Sequence, residues 1–417
     1  MAIPESIEMF QYVYFPKDFT ITVDGETLIY RDGSITYMNI INDYVKRRIS
    51  IITAGLEATT EELTKIYKNK NTVQVKLTLI EKRKNFNTKE ILSTREFINK
   101  TFSLIPMKDE SSFIYSTDST STELIDEQRH LQHFEFYLIP MEAINILEME
   151  QSYILNKVTP AEILQAAFVQ RDIPAGTVIA TPPQQSEIIE NVAVPLGTLI
   201  SNIRHINNTY GLYAGEPIIY YDLKYYYCIC KENPDIIIDN ATDYGNVTFI
   251  LKDPSSPMHE INGSNDDEEN HIHWVNLSKE PEVIATRARD TSVSVSTVMT
   301  VDANGTVDKK TLDESSTKVK YVYATNPLMK DRVLNEMIYG ARVHITTKDM
   351  SVMMLTPYKD YTFMVDPSYD NLNLTDNVFR ILYWSLNITR ESGDEYISII
   401  EMDLYQVERG QVEMTVE

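Results

Sequence analysis

Cysteine is nearly missing from this 417-residue sequence: only Cys228 and Cys230 are present. They stand two residues apart in a Tyr-rich stretch that reads as a strand. Both then point to one face, and a bridge between them would distort the backbone. No disulfide framework is expected, in keeping with folding in a reducing cytoplasm. Glycine is scarce as well, with 13 residues, which excludes a Gly-rich fibre and a Gly-rich phosphate-binding scaffold. Basic residues are outnumbered, 38 Lys and Arg against 61 Asp and Glu, for a net charge of -23. A field of that sign repels phosphates, so sequence-specific nucleic-acid binding is not expected. No apolar run approaches the ~18–20 residues that span a bilayer, so membrane insertion is not expected either. Met1–Phe15 lacks the basic start and apolar stretch of a secretory signal.

Catalytic motifs are missing too. There is no GxxxxGK[ST] or GxGxxG loop for nucleotides, no HExxH or zinc-spaced cysteine pair, and no GxSxG elbow. The most enzyme-like cluster is His271-Ile272-His273, with His259 and the run Asp266–Glu269 nearby. On a strand, imidazoles at i and i+2 face one way and could share a metal. The further ligands would have to come from a polar run with little apolar content, so an exposed loop without metal is expected. The basic run Lys82–Lys84 reads as a solvated turn. The expectation is therefore a non-enzyme: no catalytic residue, no cofactor and no metal. Sixty-one acidic residues keep a paired-carboxylate hydrolase open as an alternative.

What is present is apolar and aromatic. Hydrophobic residues make up 43% of the chain and Tyr alone contributes 26 residues. That is enough for real cores, in about two to four structural units. Tyrosine joins strand propensity to a polar tip, which suits strands and wet interfaces.

Residues 1–150 read as β-rich with one short helix. Asp24-Gly25 between Thr20–Val23 and Glu26–Tyr30 predicts a hairpin with a type I′ turn. Thr59 and Glu62 have capping-box spacing before Leu63, Ile66 and Tyr67 on one helix face. Val73, Val75, Leu77 and Leu79 alternate with polar residues as a half-buried strand does, and His133–Ile139 reads the same way.

Residues 151–240 read as a small α/β unit. Thr159-Pro160-Ala161-Glu162 opens one helix. A second is predicted over Pro195–Asn207, with Gly211 beyond its end, followed by strands Pro217–Asp222 and Leu223–Cys230. Residues 241–320 read as a β-rich insertion with an acidic loop at Asn262–Asn270. Its Val283–Lys320 stretch suggests exposed strands around an Asn304-Gly305 turn. Residues 321–417 carry a helix from Asn326-Pro327 to Gly340, with Leu334, Met337 and Ile338 inward. Short strands follow near Arg342–Thr346, Ser351–Leu355 and Tyr361–Val365, and then a long hairpin, Val378–Arg390 with Glu395–Val407. Its first strand is apolar at both parities, which predicts a core on one side and a neighbouring domain or subunit on the other.

The stretch Phe134-Glu-Phe-Tyr-Leu-Ile-Pro-Met141, then Ala143–Asn156, then Val158-Thr-Pro-Ala-Glu-Ile-Leu164, resembles the middle of phage tail hub and baseplate hub proteins. These are related to the hub part of type VI secretion spikes. Leu196–Gly211 followed by Ile218–Asp222 fits the same order. So do the final helix, Leu355-Thr-Pro-Tyr-Lys-Asp-Tyr-Thr-Phe363 and the closing strand pair. Hub proteins usually carry Pro-Gly in the Leu355 turn; here Tyr358 stands in the glycine position.

The resemblance implies a mainly β fold with α+β parts. It would comprise a first tube-like β-barrel over 1–150, a small α/β domain over 151–240, the insertion over 241–320 and a second tube-like β-barrel over 321–417. It also implies a homotrimeric ring that joins the tail tube protein to a central spike protein beside other baseplate proteins. Such a ring would be assembled in the host cytoplasm and carried in the virion. Two further readings stand beside it: a baseplate arm or receptor-binding protein, and a tail-associated cell-wall hydrolase.

Overall fold

A computed structural model describes residues 9–30, 34–69, 72–107, 131–213, 217–230, 246–251, 264–267, 272–277, 279–284, 295–301, 307–311, 318–323, 342–365, 374–375, 377–392 and 395–407. The chain opens with β1 (Phe10–Val23) and β2 (Glu26–Tyr30). Asp24 and Gly25 turn between them at φ 49° and 83°, the two positive angles a type I′ turn requires. Next come β3 (Ile35–Asp43), β4 (Ile51–Thr59), α1 (Thr60–Lys68), β5 (Gln74–Asn85), β6 (Ile91–Pro106) and β7 (Leu131–Pro140). The predicted capping box is formed: the Thr59 side chain accepts from the Glu62 amide, and the Glu62 carboxylate accepts from the Thr59 amide. Leu63, Ile66 and Tyr67 are buried, as their spacing predicts.

The middle of the chain contains α2 (Met141–Glu148), β8 (Gln151–Val158), α3 (Pro160–Val169), β9 (Val178–Ala180), β10 (Ile189–Gly197), α4 (Leu199–Tyr210), β11 (Ile218–Tyr221) and β12 (Tyr226–Ile229). Helix α3 has the predicted Thr159–Glu162 capping box, and Gly211 ends α4 in the left-handed region at φ 77°. The second helix starts four residues later than its sequence suggests. Pro195 belongs to β10, and Thr198 caps the helix by accepting from the Ser201 amide. Beneath α3, Arg171 is buried and donates to the carbonyls of Met149, Ala167 and Gly197. One side chain thus satisfies backbone acceptors from three segments.

The last part supplies β13 (Asn246–Leu251), β14 (Ser264–Asp267), β15 (Ile272–Asn276) and β16 (Glu282–Ile284). It continues with β17 (Val295–Val301), β18 (Val307–Thr311), β19 (Lys318–Tyr323), β20 (Arg342–Thr347), β21 (Tyr361–Val365), β22 (Val378–Ser392) and β23 (Glu395–Val407). Strands β17–β19 form a separate three-stranded sheet. The Asn304-Gly305 turn and the helix expected over 326–340 lie outside the described residues.

The fold is mainly β, and its centre is a closed circuit of eleven strands: β22-β3-β4-β7-β6-β5-β1-β14-β15-β13-β21 and back to β22. Strand β22 closes it by using one edge twice. Phe379 pairs with Tyr361 of β21, and Tyr383–Thr389 pairs with Tyr37–Asp43 of β3. The C-terminal hairpin is therefore zipped into an N-terminal strand. One continuous core of Phe, Tyr, Leu and Ile side chains runs from Phe10 to Leu404.

Three local readings change in the structure. The acidic stretch contains β14, whose backbone pairs antiparallel with β15 and touches β1 at Phe10. Ladder bonds use peptide groups, so an apolar neighbour such as Ile272–Asn276 can recruit a polar strand. Ser351–Leu355 is a 3₁₀ turn over Val352–Met354 rather than a strand, because the Ser351 hydroxyl accepts from the Met353 amide. The run Lys82–Lys84 is strand, not turn. Lys82 lies over the Phe15 ring at 4.1 Å, and Arg83 lies over Phe10 at 3.4 Å.

The double-sided apolarity of β22 also has a different cause. The β22–β23 register shifts between Ile381 and Tyr383. An extra residue at a bulge inverts side-chain parity. Phe379 and Ile381 before it, and Trp384, Leu386 and Ile388 after it, consequently reach the same core.

Candidate assembly surface

The α/β unit joins the strand circuit through a sheet with no polar face. Strands β11 and β12 pair antiparallel, and β9 adds in parallel beside β12. Along them the side chains alternate between two cores. Ile218, Tyr220, Tyr227 and Ile229 enter the circuit's core, while Ile219, Tyr221, Tyr226 and Cys228 enter the core built by α3 and α4. This is why both strands read as continuous apolar runs. Backbone bonds reinforce the joint: Ser50 N donates to Tyr221 O at 2.9 Å and Tyr221 N to Arg48 O at 3.0 Å. At its rim Lys100 donates to Tyr221 Oη at 2.9 Å, and Glu142 accepts from both Lys100 and Tyr221.

Tyr44 sits where three parts meet. Its ring packs edge-on against Tyr220 at 4.7 Å and Tyr227 at 6.2 Å. Its amide donates to Leu382 O at 3.0 Å, at the bulge of β22. Nearby, Asp222 accepts from the Lys224 and Tyr225 amides and, at 2.5 Å, from Tyr227 Oη. Burial pushes its carboxyl up from the ordinary value, against those three bonds.

A second buried polar cluster ties the 3₁₀ turn to the N-terminal strands. Glu81 accepts from Tyr14 Oη, from Ser351 Oγ at 2.7 Å and from Arg95 Nε at 2.5 Å. Tyr14 Oη in turn accepts from Val352 N at 2.8 Å. Burial first, and then the Glu81 charge, raises the Tyr14 phenol well above its usual value. Two hydroxyls and a guanidinium thus converge on one buried carboxylate.

Two surface features stand outside these joints. The β8–β10 ribbon leaves Ile154 and Leu196, and Ile188 just before β10, 65–73% exposed. Its outer edge is covered at Ala193, whose amide donates to Tyr210 Oη at 2.8 Å and whose carbonyl lies 3.2 Å from His205 Nε2. The other feature is a crevice of about 410 Å³ between the outer face of β1–β5 and the tip of the β22–β23 hairpin.

The residues singled out in the sequence fall apart here. His273 is buried on β15 with its ring 6.2 Å from that of Tyr12, so it belongs to the packed circuit rather than an exposed loop. His259 and His271 lie outside the described residues. Among the described residues no three His, Cys, Asp or Glu side chains are grouped to hold a metal ion, and no helix is long and apolar enough to cross a membrane. Cys228 and Cys230 are both buried and form no disulfide, on the α/β unit's side of the joint. Sequence reasoning missed Glu81 and Ser351. The only trace of them was a carboxylate among the alternating positions of β5, which looks like an ordinary solvated residue.

No protein-family model and no curated protein matches the sequence. Solved structures similar to this chain include two tail proteins and a component of the type VI secretion system. A tail protein from Neisseria meningitidis MC58 aligns over 94% of this chain and 96% of its own, at 9% identity and a TM-score of 0.49. The 43 kDa tail protein of prophage MuSo2 from Shewanella oneidensis aligns over 93% and 97%, at 10% identity and a TM-score of 0.46. The c3393 protein of E. coli, described as a component of the type VI secretion system, aligns over 94% and 77%, at 10% identity and a TM-score of 0.40.

Proposed function

We propose that this chain is a structural hub of a phage-type tail or baseplate, a homotrimeric ring that joins the tail tube to a central spike around the DNA channel. The observation that carries the reading is the order of elements. Strand β7 leads through α2 and β8 to capped α3, α4 ends at Gly211 before β11, and the β22–β23 strand pair comes last. That is the order on which the sequence resemblance to hub proteins rests. The closed circuit suits the role, because a closed sheet leaves few edges for unwanted pairing. The -23 charge would keep passing DNA from adhering to the wall. In this reading the chain has no enzymatic activity, needs no cofactor or metal, and meets the tail tube, the spike and other baseplate proteins in the virion. The mass of the purified protein, alone and mixed with its neighbours, tests it. Three copies per particle support a ring, and a monomer under every condition removes it.

A further inference from the structure

Along the middle of β1 the sheet has a seam. Strand β5 pairs with one edge; on the other, among the described residues, β14 pairs at Phe10 and β2 from Phe19 to Val23. Facing the gap, β23 pairs with β20 from Ile400 to Tyr405 among the described residues. A hydrogen bond crosses the seam through a side chain, Tyr14 N donating to Ser398 Oγ at 3.1 Å. The 410 Å³ crevice lies over this seam, lined in part by Val13, Phe15 and Tyr396. Lys82 and Lys84 form one wall, directly opposite Val13 and Gln11 in the β1–β5 register. Beside the crevice Lys89, from the β5–β6 turn, donates to Gln11 Oε1 at 3.4 Å. Across the crevice stand Glu391 and Glu395 of the hairpin.

Three amines gather here in a chain of 61 acidic residues, and among the described residues none of the three forms an ion pair. Lys82 instead rests its ammonium on the Phe15 ring at 4.1 Å. Lys82 and Lys84 are two residues apart on one face of β5, a spacing of about 7 Å. Carboxylates at i and i+2 of another extended chain have the same spacing.

We propose that the crevice is a docking groove for an extended segment of a partner polypeptide in which acidic and apolar residues alternate. The apolar side chains would sit on Val13, Phe15 and Tyr396, and the carboxylates would meet Lys82, Lys84 and Lys89. Glu391 and Glu395 would reject a segment carrying more acid than the lysines can match. The proposal goes beyond the hub reading and stands whether or not the chain forms a ring.

The test is fluorescence anisotropy of the full chain with a labelled peptide of alternating Glu and Val. Controls are the same peptide with Gln or Lys in place of Glu, and a single-stranded oligonucleotide. The Glu-Val peptide should bind best and weaken with added salt. Lys82→Glu with Lys84→Glu should reduce its affinity about tenfold or more, as expected for two exposed charge contacts reversed. Lys82→Gln with Lys84→Gln should give a smaller loss in the same direction and keeps the test valid if the reversal harms folding. Lys76→Glu, on the same strand about 20 Å away, should change nothing. Equal binding of the Gln-Val peptide, no effect of either double substitution, or tighter binding of the oligonucleotide would each overturn the proposal.

Discussion

Trp384 Nε1 donates to Tyr44 Oη at 3.1 Å, joining residues that stand 340 positions apart. The same hydroxyl lies 3.5 Å from Leu355 O, as its donor. The C-terminal hairpin, the 3₁₀ turn and the N-terminal strands thus share one hydroxyl, with the α/β unit's tyrosines packed around its ring.

Trp384→Ala is expected to cost about 3–5 kcal/mol, since the indole is buried in the central core. Tyr44→Phe keeps the ring but strands the indole N–H, for about 1–3 kcal/mol. A polar change at Tyr383, half-buried and on the opposite face, should cost much less than either. Urea unfolding of the three variants checks the order. A Trp384→Ala protein as stable as wild type would mean that the hairpin is not part of this core.

Glu81→Gln keeps the shape of the buried clasp but leaves the Arg95 guanidinium without its counter-charge. Breaking a buried pair costs about 3–5 kcal/mol. The Arg95 side chain is 40% exposed, so about 2–3 kcal/mol is expected. Ser351→Ala removes a neutral hydroxyl that donates to Glu81 and accepts from Arg95 and the Met353 amide, but it leaves the ion pair in place and should cost less. The same unfolding series separates the two.

Asp349 gives a pH dependence. Burial raises its carboxyl to about 6, against the attraction of Lys89 and Lys348. Its folded value lies above its unfolded value, so the folded state binds the proton more tightly between those two values. Stability from this group is greatest below pH 4 and is lost as pH rises through about 6, by on the order of 2–3 kcal/mol. Asp349→Asn should remove that slope and be the more stable protein at pH 7. Denaturant midpoints measured from pH 4 to 8 report it, and parallel profiles for the two proteins would refute the assignment.

The Cys228 thiol is buried and its value is pushed up to about 12, chiefly by burial. Native protein at pH 8 should therefore resist thiol-specific reagents at this position, and both cysteines should react once urea unfolds the chain.

Local chemistry was legible in the sequence, and long-range pairing was not. Both capping boxes, the Asp24-Gly25 turn, the Gly211 stop and the buried positions of α1 follow from rules that act within a few residues. The joining of β22 to β3 depends on pairs such as Leu386 with Ile40, hundreds of residues apart, and no local pattern encodes it. The parity of β22 misled for a related reason. A bulge is one residue of backbone geometry, and the apolar residues on either side of it look the same with or without it. The strand at Ser264–Asp267 was invisible because its partners, not its own side chains, make it a strand.

Imaging of intact particles carrying a tag on this chain tests the central claim most directly. The account predicts label on the tail axis, at the junction of tube and spike, with threefold symmetry in averaged end views. Label at the periphery of the baseplate, on arms or fibres, would contradict it.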